Sequence, residues 1–424
     1  MAYTFSPVKD FEKLESAIVS LYGEKRREEQ LVRYRELLNG YKETFGETDA
    51  VAIFSAPGRT EIGGNHTDHQ HGKVLAGSVD LDVIAVVAPN SDGIIRIQSK
   101  GFNMNQVELS DLSIHENEID SSNAIVRGVA AKFSEMGCTV EGFNAYTTST
   151  VLKGSGLSSS AAFEVLVANI INSLFFENKC TPVQIAQIGQ FAENVYYGKP
   201  SGLLDQMASS VGAMVTVDFA DKADPKVERV DFDFASTGHA LCIIDSGADH
   251  ADLTDEYAAV PGELKEVCAF FGKNVLREVD EAAFYAALPE VRAKVGDRAV
   301  LRAIHIYEEN RRVDQELAAL RSGNFDAFLS VVKSSGLSSW RCLQNVVPAG
   351  NKRNQEVALA LTLAENLLAG RGACRVHGGG FAGTIQAFVP YDMLERFKCE
   401  MERVLGEGSC HVLTIRPVGG VRLV

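Results

Sequence analysis

The sequence predicts an α+β fold in two domains, on three observations. Strand and helix patterns interleave without the strict alternation that a doubly wound sheet requires. A long helical run at 256–368 separates two strand-bearing stretches, and the charged, proline-bearing "DKADPKVE" at 221–228 marks a border between domains 1–220 and 221–424. With 424 residues and 46% hydrophobic composition, there is enough apolar material for more than one core.

Residues 9–45 are charged but carry Phe11, Leu14, Ile18 and Leu21 at helical spacing, which reads as a helical lead-in. "AVAIFSAPGR" has strand composition and runs into a loop, "GRTEIGGNHTDHQHG". "VDLDVIAVVAP" and "IIRIQSKG", separated by the turn-forming "NSDG", look like a hairpin. "VEGFNAYTTSTV" alternates as a strand, "SSAAFEVLVANIINSLFF" is a mostly apolar helix, and "IAQIGQFAENVYYG" is another helix that stops at Gly198. "GAMVTVDFA" and "ALCIIDSGA" read as strands. After the helical run, "ACRVHGGGFAGTIQAFVP" reads as two strands around a glycine turn, followed by the helix "YDMLERFKCEMERVLG" and the strand "CHVLTIRPV".

Lysine plus arginine (41) against aspartate plus glutamate (56) leaves a net charge of −15, which repels nucleic acid and anionic membrane surfaces. No basic segment followed by an apolar run opens the chain, and no stretch approaches the roughly 20 apolar residues of a membrane span, so a cytoplasmic protein is expected. The eight cysteines are scattered with no CxxC pair, as for buried thiols rather than a zinc or redox site.

The stretch "KGSGLSSSAAFEV" sets two glycines and three serines immediately before a helix. The first N–H groups of a helix lack internal partners and carry the positive end of its dipole, so they attract phosphate, while the serines can cap the helix or donate to phosphate or Mg²⁺. A capped helix after a flexible loop would look the same. The lysine-serine ending of a Walker A loop is missing. "GGGFAG" formally matches GxGxxG, but the strand-like "TIQAFVP" after it excludes a dinucleotide site, which needs a helix there. His66, Asp68, His69 and His71 offer a possible zinc cluster, although neither cysteine nor HExxH spacing supports it.

Taken together, "APGR" with Arg59, "HTD" at 66–68, "GLSSSAA" at 156–162, "GLLDQ" at 202–206 and "GGGFAG" resemble, in order, the galactokinase branch of the GHMP small-molecule kinases. The resemblance runs from about residue 50 to the end. It implies an N-terminal domain of ribosomal S5 domain 2-like type, a ferredoxin-like C-terminal domain, and an active site in the cleft between them. It further implies a sugar and ATP as small-molecule partners, Mg²⁺ as cofactor, and a monomer. Gly154, Ser155, Gly156, Leu157, Ser158, Ser159, Ser160 and Ala161 would hold the ATP phosphates, and Ser160 with Glu193, twelve residues before Asp205, would bind Mg²⁺. Asp205 would be the catalytic carboxylate and Arg59 its cationic partner. The sugar would meet Asn65, His66, Asp68, Gly202 and Tyr257. Phosphoryl transfer needs this carboxylate–arginine pair, because the attacking hydroxyl must be oriented and relieved of its proton while the arginine keeps the aspartate ionised.

Asn65 stands where the family usually has glutamate, facing the substituent at sugar C6. Asparagine can still accept there, but it is uncharged and can also donate. Galactose 1-phosphorylation is therefore the expected reaction, with galacturonate or another galactose-like sugar as the enzymatic alternative. The non-enzyme alternative is a sugar- and ATP-binding regulatory sensor; intact "GLSSSAA", Glu193, Asp205 and Arg59 speak for the enzyme.

Overall fold

The computed structural model describes residues 11–48, 51–151, 156–199, 201–248 and 253–424. Its first layer is an eight-stranded sheet: β1 (Ala52–Gly63), β2 (Lys73–Pro89), β3 (Ile94–Ser99), β4 (Asn105–Glu108), β5 (Phe143–Ser149), β6 (Met214–Asp218), β7 (Lys226–Val230) and, from the far end of the chain, β12 (Val421–Arg422). The other sheet has four strands in the order β11 (Cys410–Leu413), β8 (His239–Asp245), β10 (Thr384–Pro390), β9 (Ala373–Val376).

The long strand β2 is buried along almost its whole length, which explains its near-continuous apolar run. It pairs with β1 on one side, and on the other with β6 through Lys73–Gly77 and with β5 through Val83–Pro89. The expected β2–β3 hairpin therefore does not form. β5 lies between the two, antiparallel to β2 and parallel to β3, so the "NSDG" turn joins strands that are not neighbours. The strand "AVAIFSAPGR" also continues further than expected, to Gly63, which puts Arg59 within β1 rather than in a loop.

Helices α1 (Phe11–Tyr22) and α2 (Arg27–Phe45) bury Leu14, Ile18, Tyr34 and Leu37 against Ile53, Ile84 and Val86 of the first sheet. Beneath them Asp82 of β2 is fully buried. It accepts from Arg33 Nη1 (2.6 Å), from Arg416 Nη1 (2.9 Å) and from the hydroxyls of Tyr22 and Ser55. Burial alone would raise this carboxyl; the two guanidinium groups outweigh it and hold it below the ordinary range. One aspartate thus ties the lead-in and the chain's last segment to the central strand. That last segment also donates β12 to β1, and β7 pairs with β6, so a border at 220 leaves two strands of the first sheet, β7 and β12, on its far side.

On the sheet, α3 (Ser122–Glu135), α4 (Ser159–Phe175), α5 (Pro182–Phe191) and α6 (Leu204–Val211) form the helical layer. α4 is buried on nearly all sides, as its apolar composition demands. Next come α7 (Thr254–Phe270), α8 (Glu281–Ala286), α9 (Leu288–Val295) and α10 (Asp297–Arg321), which share a core around Leu264, Phe284 and Tyr307. α11 (Phe325–Ser338) lays Phe325 and Phe328 against Phe234 and Phe388 on one face of the second sheet. α12 (Glu356–Leu368) and α13 (Leu394–Leu405) cover the other face with Leu361, Ala364, Phe397 and Met401.

The two sheets meet at the end of β1. Arg375 Nη1 donates to the Ile62 carbonyl (2.7 Å), Gln386 Nε2 to the Glu61 carbonyl (3.0 Å), and the Glu61 N–H to His377 Nε2 (3.2 Å). Arg59 sits two residues before this seam.

Candidate active site

Arg59 follows a register shift in the β1–β2 pairing, between Pro57 and Arg59, which re-aims the strand. Its Nε donates to Asp205 Oδ1 at 2.6 Å, its Nη1 to the Gly156 carbonyl, and its backbone N–H to the Leu157 carbonyl at 3.0 Å. One residue therefore links the serine loop to the carboxylate. Asp205 lies in the first turn of α6, where the helix dipole favours a negative charge. Ser158 holds a left-handed backbone (φ 57°) and does not cap α4 with its side chain; its hydroxyl donates to Asp205 Oδ2 at 2.6 Å. Burial would raise Asp205, but Arg59 and the Ser158 hydroxyl prevail and hold it below the usual carboxylate range. The side chains of Leu157 and Ala161 are fully buried; Ser159 and Ser160 open α4, with Ser160 exposed. Gly154 and Ser155 lie outside the described residues.

The expected helix through "AENVYY" widens into a π-helical turn, Ala192–Tyr197, that carries Glu193. This buried carboxylate accepts from Lys199 Nζ (3.2 Å) on Oε1, and from Ser201 Oγ (2.6 Å) and Gln206 Nε2 (2.8 Å) on Oε2. The same Gln206 nitrogen donates to Glu164 Oε2 at 2.8 Å. Glu164 is fully buried in α4, and burial together with the charge of Glu193 raises it well above the ordinary carboxylate range.

Beyond β1, His66 takes a positive φ of 61°, and its Nε2–H donates to the Gly379 carbonyl at 3.0 Å. Burial pushes this imidazole down to about 4, so it is neutral at physiological pH. Asp68 accepts from the His69 N–H (2.9 Å) and passes directly over Gly202, where a Cβ would lie 1.7 Å from Asp68 Oδ2. Gly202 is thus the residue that makes room for Asp68. Tyr257 donates its hydroxyl to the Gly380 carbonyl (2.8 Å) and packs edge-on to Phe381, and burial pushes the phenol up to about 12. The His66 contact sets the "GGGFAG" turn against the loop after β1, and Tyr257 braces that turn from α7.

Asn65 is the correction to the expected site. Its side chain is fully buried, and its amide is consumed by the protein: Nδ2 donates to Glu61 Oε1 (3.0 Å) and the Gly378 carbonyl (2.7 Å), while Oδ1 accepts from Ser339 Oγ (3.2 Å) and Asn345 Nδ2 (2.9 Å). An amide has two donors and two acceptor lone pairs, so none is left to face a sugar C6 group. The zinc alternative fares no better, since among the described residues no three His, Cys, Asp or Glu side chains converge as a metal cage would need.

The galactokinase galactose-binding signature matches residues 39–89, and the GHMP kinases N terminal domain matches 123–213. A galactokinase from Streptomyces coelicolor is 31% identical over 346 residues, spanning 81% of this chain and 86% of the relative. The chain belongs to the galactokinase family. A galactokinase of Actinobacillus pleuropneumoniae is 29% identical over 84% of this chain and 90% of its own. Among solved structures, Lactococcus lactis galactokinase complexed with galactose superposes with a TM-score of 0.77 at 25% identity, covering 92% of this chain and all (100%) of that one. A mevalonate kinase at 12% identity and a TM-score of 0.61 shares the GHMP kinase fold.

The sequence reading singled out Arg59, Asp205 and Ser158, which meet, and Asp68 and Gly202, which meet, but it did not foresee the Ser158–Asp205 contact. It missed Glu164 and gave Gln206 no role. A glutamate in the otherwise apolar "AAFEVLVAN" was the available signal, because a charge on a buried helix needs a partner.

Proposed function

We propose that the chain transfers the γ-phosphoryl group of ATP to the C1 hydroxyl of galactose, giving galactose 1-phosphate and ADP. The observation that carries this reading is the Arg59–Asp205–Ser158 constellation, set between the phosphate loop and the sugar loop. The sugar oxygen attacks in line, the new O–P bond forms as the bond between the γ-phosphorus and the bridging oxygen breaks, and the departing electrons go to ADP. Asp205 accepts a hydrogen bond from the C1 hydroxyl and orients it. Because Arg59 and Ser158 lower its basicity, its contribution early in the reaction is alignment, with the proton passing to it as P–O bonding advances. Arg59 also stabilises the oxygen as it becomes anionic. Asp68 and His66 hold the sugar ring from the opposite loop.

Glu193 and Ser160 supply the carboxylate and hydroxyl oxygens that suit Mg²⁺, and the Lys199 ammonium on Glu193 Oε1 is a cation already accommodated there. When bound, the ion neutralises developing charge on the phosphates. A cytoplasmic monomer with the site in the cleft between its two domains belongs to the same reading. ADP release across galactose, galactosamine, galacturonate, arabinose and glucose tests it: galactose-dependent turnover well above the others is expected. Sugar-independent release, or none with any sugar, would overturn the reading.

A further inference from the structure

Gln206 has a position that the phosphoryl-transfer chemistry does not itself explain. It follows Asp205 in the first turn of α6, and consecutive helical side chains diverge by about 100°. Asp205 faces Arg59 and Ser158, whereas Gln206 faces the π-helical turn. There its single amide nitrogen gives one N–H to Glu193 Oε2 and the other to Glu164 Oε2, both at 2.8 Å. Gln206 is itself fully buried, and so is Glu164. Room for this arrangement comes from Gly189 on α5: a Cβ there would stand 3.2 Å from Gln206 Cγ, from Glu164 Cβ and from Glu164 Oε2. Four helical segments are thus shaped around one amide.

Lys199 and Ser201 are the other donors to Glu193; the Lys199 side chain is 60% exposed, so a competing cation can displace it. Gln206 cannot be displaced in that way. We propose that Gln206 is a positioning residue that fixes the rotamer of Glu193 toward the metal of Mg-ATP, with Glu164 as the buried anchor that fixes Gln206. Groups that orient a metal ligand from behind contribute to metal affinity without touching the ion. The "DQ" pair thereby couples the two halves of the site, with the reacting-hydroxyl carboxylate and the brace of the metal carboxylate on adjacent residues. This inference rests on the reading of Glu193 as the ligand of the ATP-bound metal.

The test is the affinity for a non-hydrolysable ATP analogue, measured by calorimetry with Mg²⁺ and again with EDTA, on the full chain. Wild type should bind more tightly with Mg²⁺. Gln206→Met should lose about tenfold of that gain while its EDTA affinity stays within twofold, and its KM for galactose should not move. Gln206→Asn, one methylene too short to brace Glu193, should show the same selective loss and serves if the methionine variant does not fold. Glu164→Gln keeps an oxygen for the same N–H and should retain the gain that Glu164→Leu forfeits. Equal losses with Mg²⁺ and EDTA, or no loss in either, would overturn the brace. A wild-type protein that gains nothing from Mg²⁺ would instead overturn the metal reading of Glu193.

Discussion

Asp82 and Asp205 are both aspartates held below the ordinary carboxylate range by arginine, yet they have opposite uses. Asp82 is 0% exposed and meets two guanidinium groups and two hydroxyls drawn from α1, α2, β1 and the final segment, so its acceptor capacity is full. Asp205 has one guanidinium and one hydroxyl, and its side chain is 34% exposed. Saturation with protein donors marks a structural node. Spare lone pairs on a partly exposed carboxylate leave Asp205 able to take the hydroxyl that the proposed reaction requires.

The sharpest way to break this comparison is to neutralise each carboxylate in turn. Asp205→Asn should lower kcat by about a thousandfold or more, on the order of 4 kcal/mol, while ATP binding and the melting temperature stay near wild type. Steady-state ADP release beside a thermal melt separates the two, and near-normal turnover would remove Asp205 from its role. Asp82→Asn should do the reverse. Leaving Arg33 and Arg416 buried without their counter-charge costs about 3–5 kcal/mol of stability, with turnover per folded molecule unchanged. Denaturant unfolding at several pH values checks the sign. Because the folded-state pKa of Asp82 is depressed, its stabilisation is present above the unfolded value of about 3.9 and is lost as pH falls through the lower folded value. The acid limb of the stability curve should therefore flatten in the variant.

Gly202→Ala probes the same contrast at the sugar loop. A Cβ 1.7 Å from Asp68 Oδ2 forces that carboxylate to move, and KM for galactose should rise about 10–100-fold with KM for ATP unchanged, a displacement cost of about 1.4–2.8 kcal/mol. An equal rise in both KM values would mean that the alanine disturbs the whole cleft instead.

What the sequence made legible was chemistry carried by short contiguous motifs. Arg59, Asp205, Ser158 and Asp68 each lie in a short motif, and the order of those motifs pointed to the GHMP kinase fold that the structure shares with its neighbours. Pairing between distant strands was less legible. Nothing in "VDLDVIAVVAP" or "IIRIQSKG" announces that β5, more than forty residues further on, will enter between them, or that β12 will return to β1. Glu164 left a signal, a glutamate in an apolar helix, but its partner did not: the Gln206 amide brace exists only once α4, the π-helical turn and α6 are packed together.

Asn65 is the case in which a sequence-based role gives way to a structural one, and it resembles Asp82 more than Asp205. All four valences of its amide are met by groups from Glu61, Gly378, Ser339 and Asn345, so this residue fastens the sugar loop to the second sheet and to the turn after α11. Asn65→Asp keeps the shape but replaces an N–H donor with an oxygen that faces Glu61 Oε1 and a carbonyl. Buried as the neutral acid, the variant should lose about 1–3 kcal/mol of stability, with galactose still preferred over galacturonate in the same ratio. A stable Asn65→Asp variant with an altered sugar ratio would return Asn65 to the substrate. An unchanged ratio with a lowered unfolding midpoint would place the reading of the C6 substituent on groups whose lone pairs are still free.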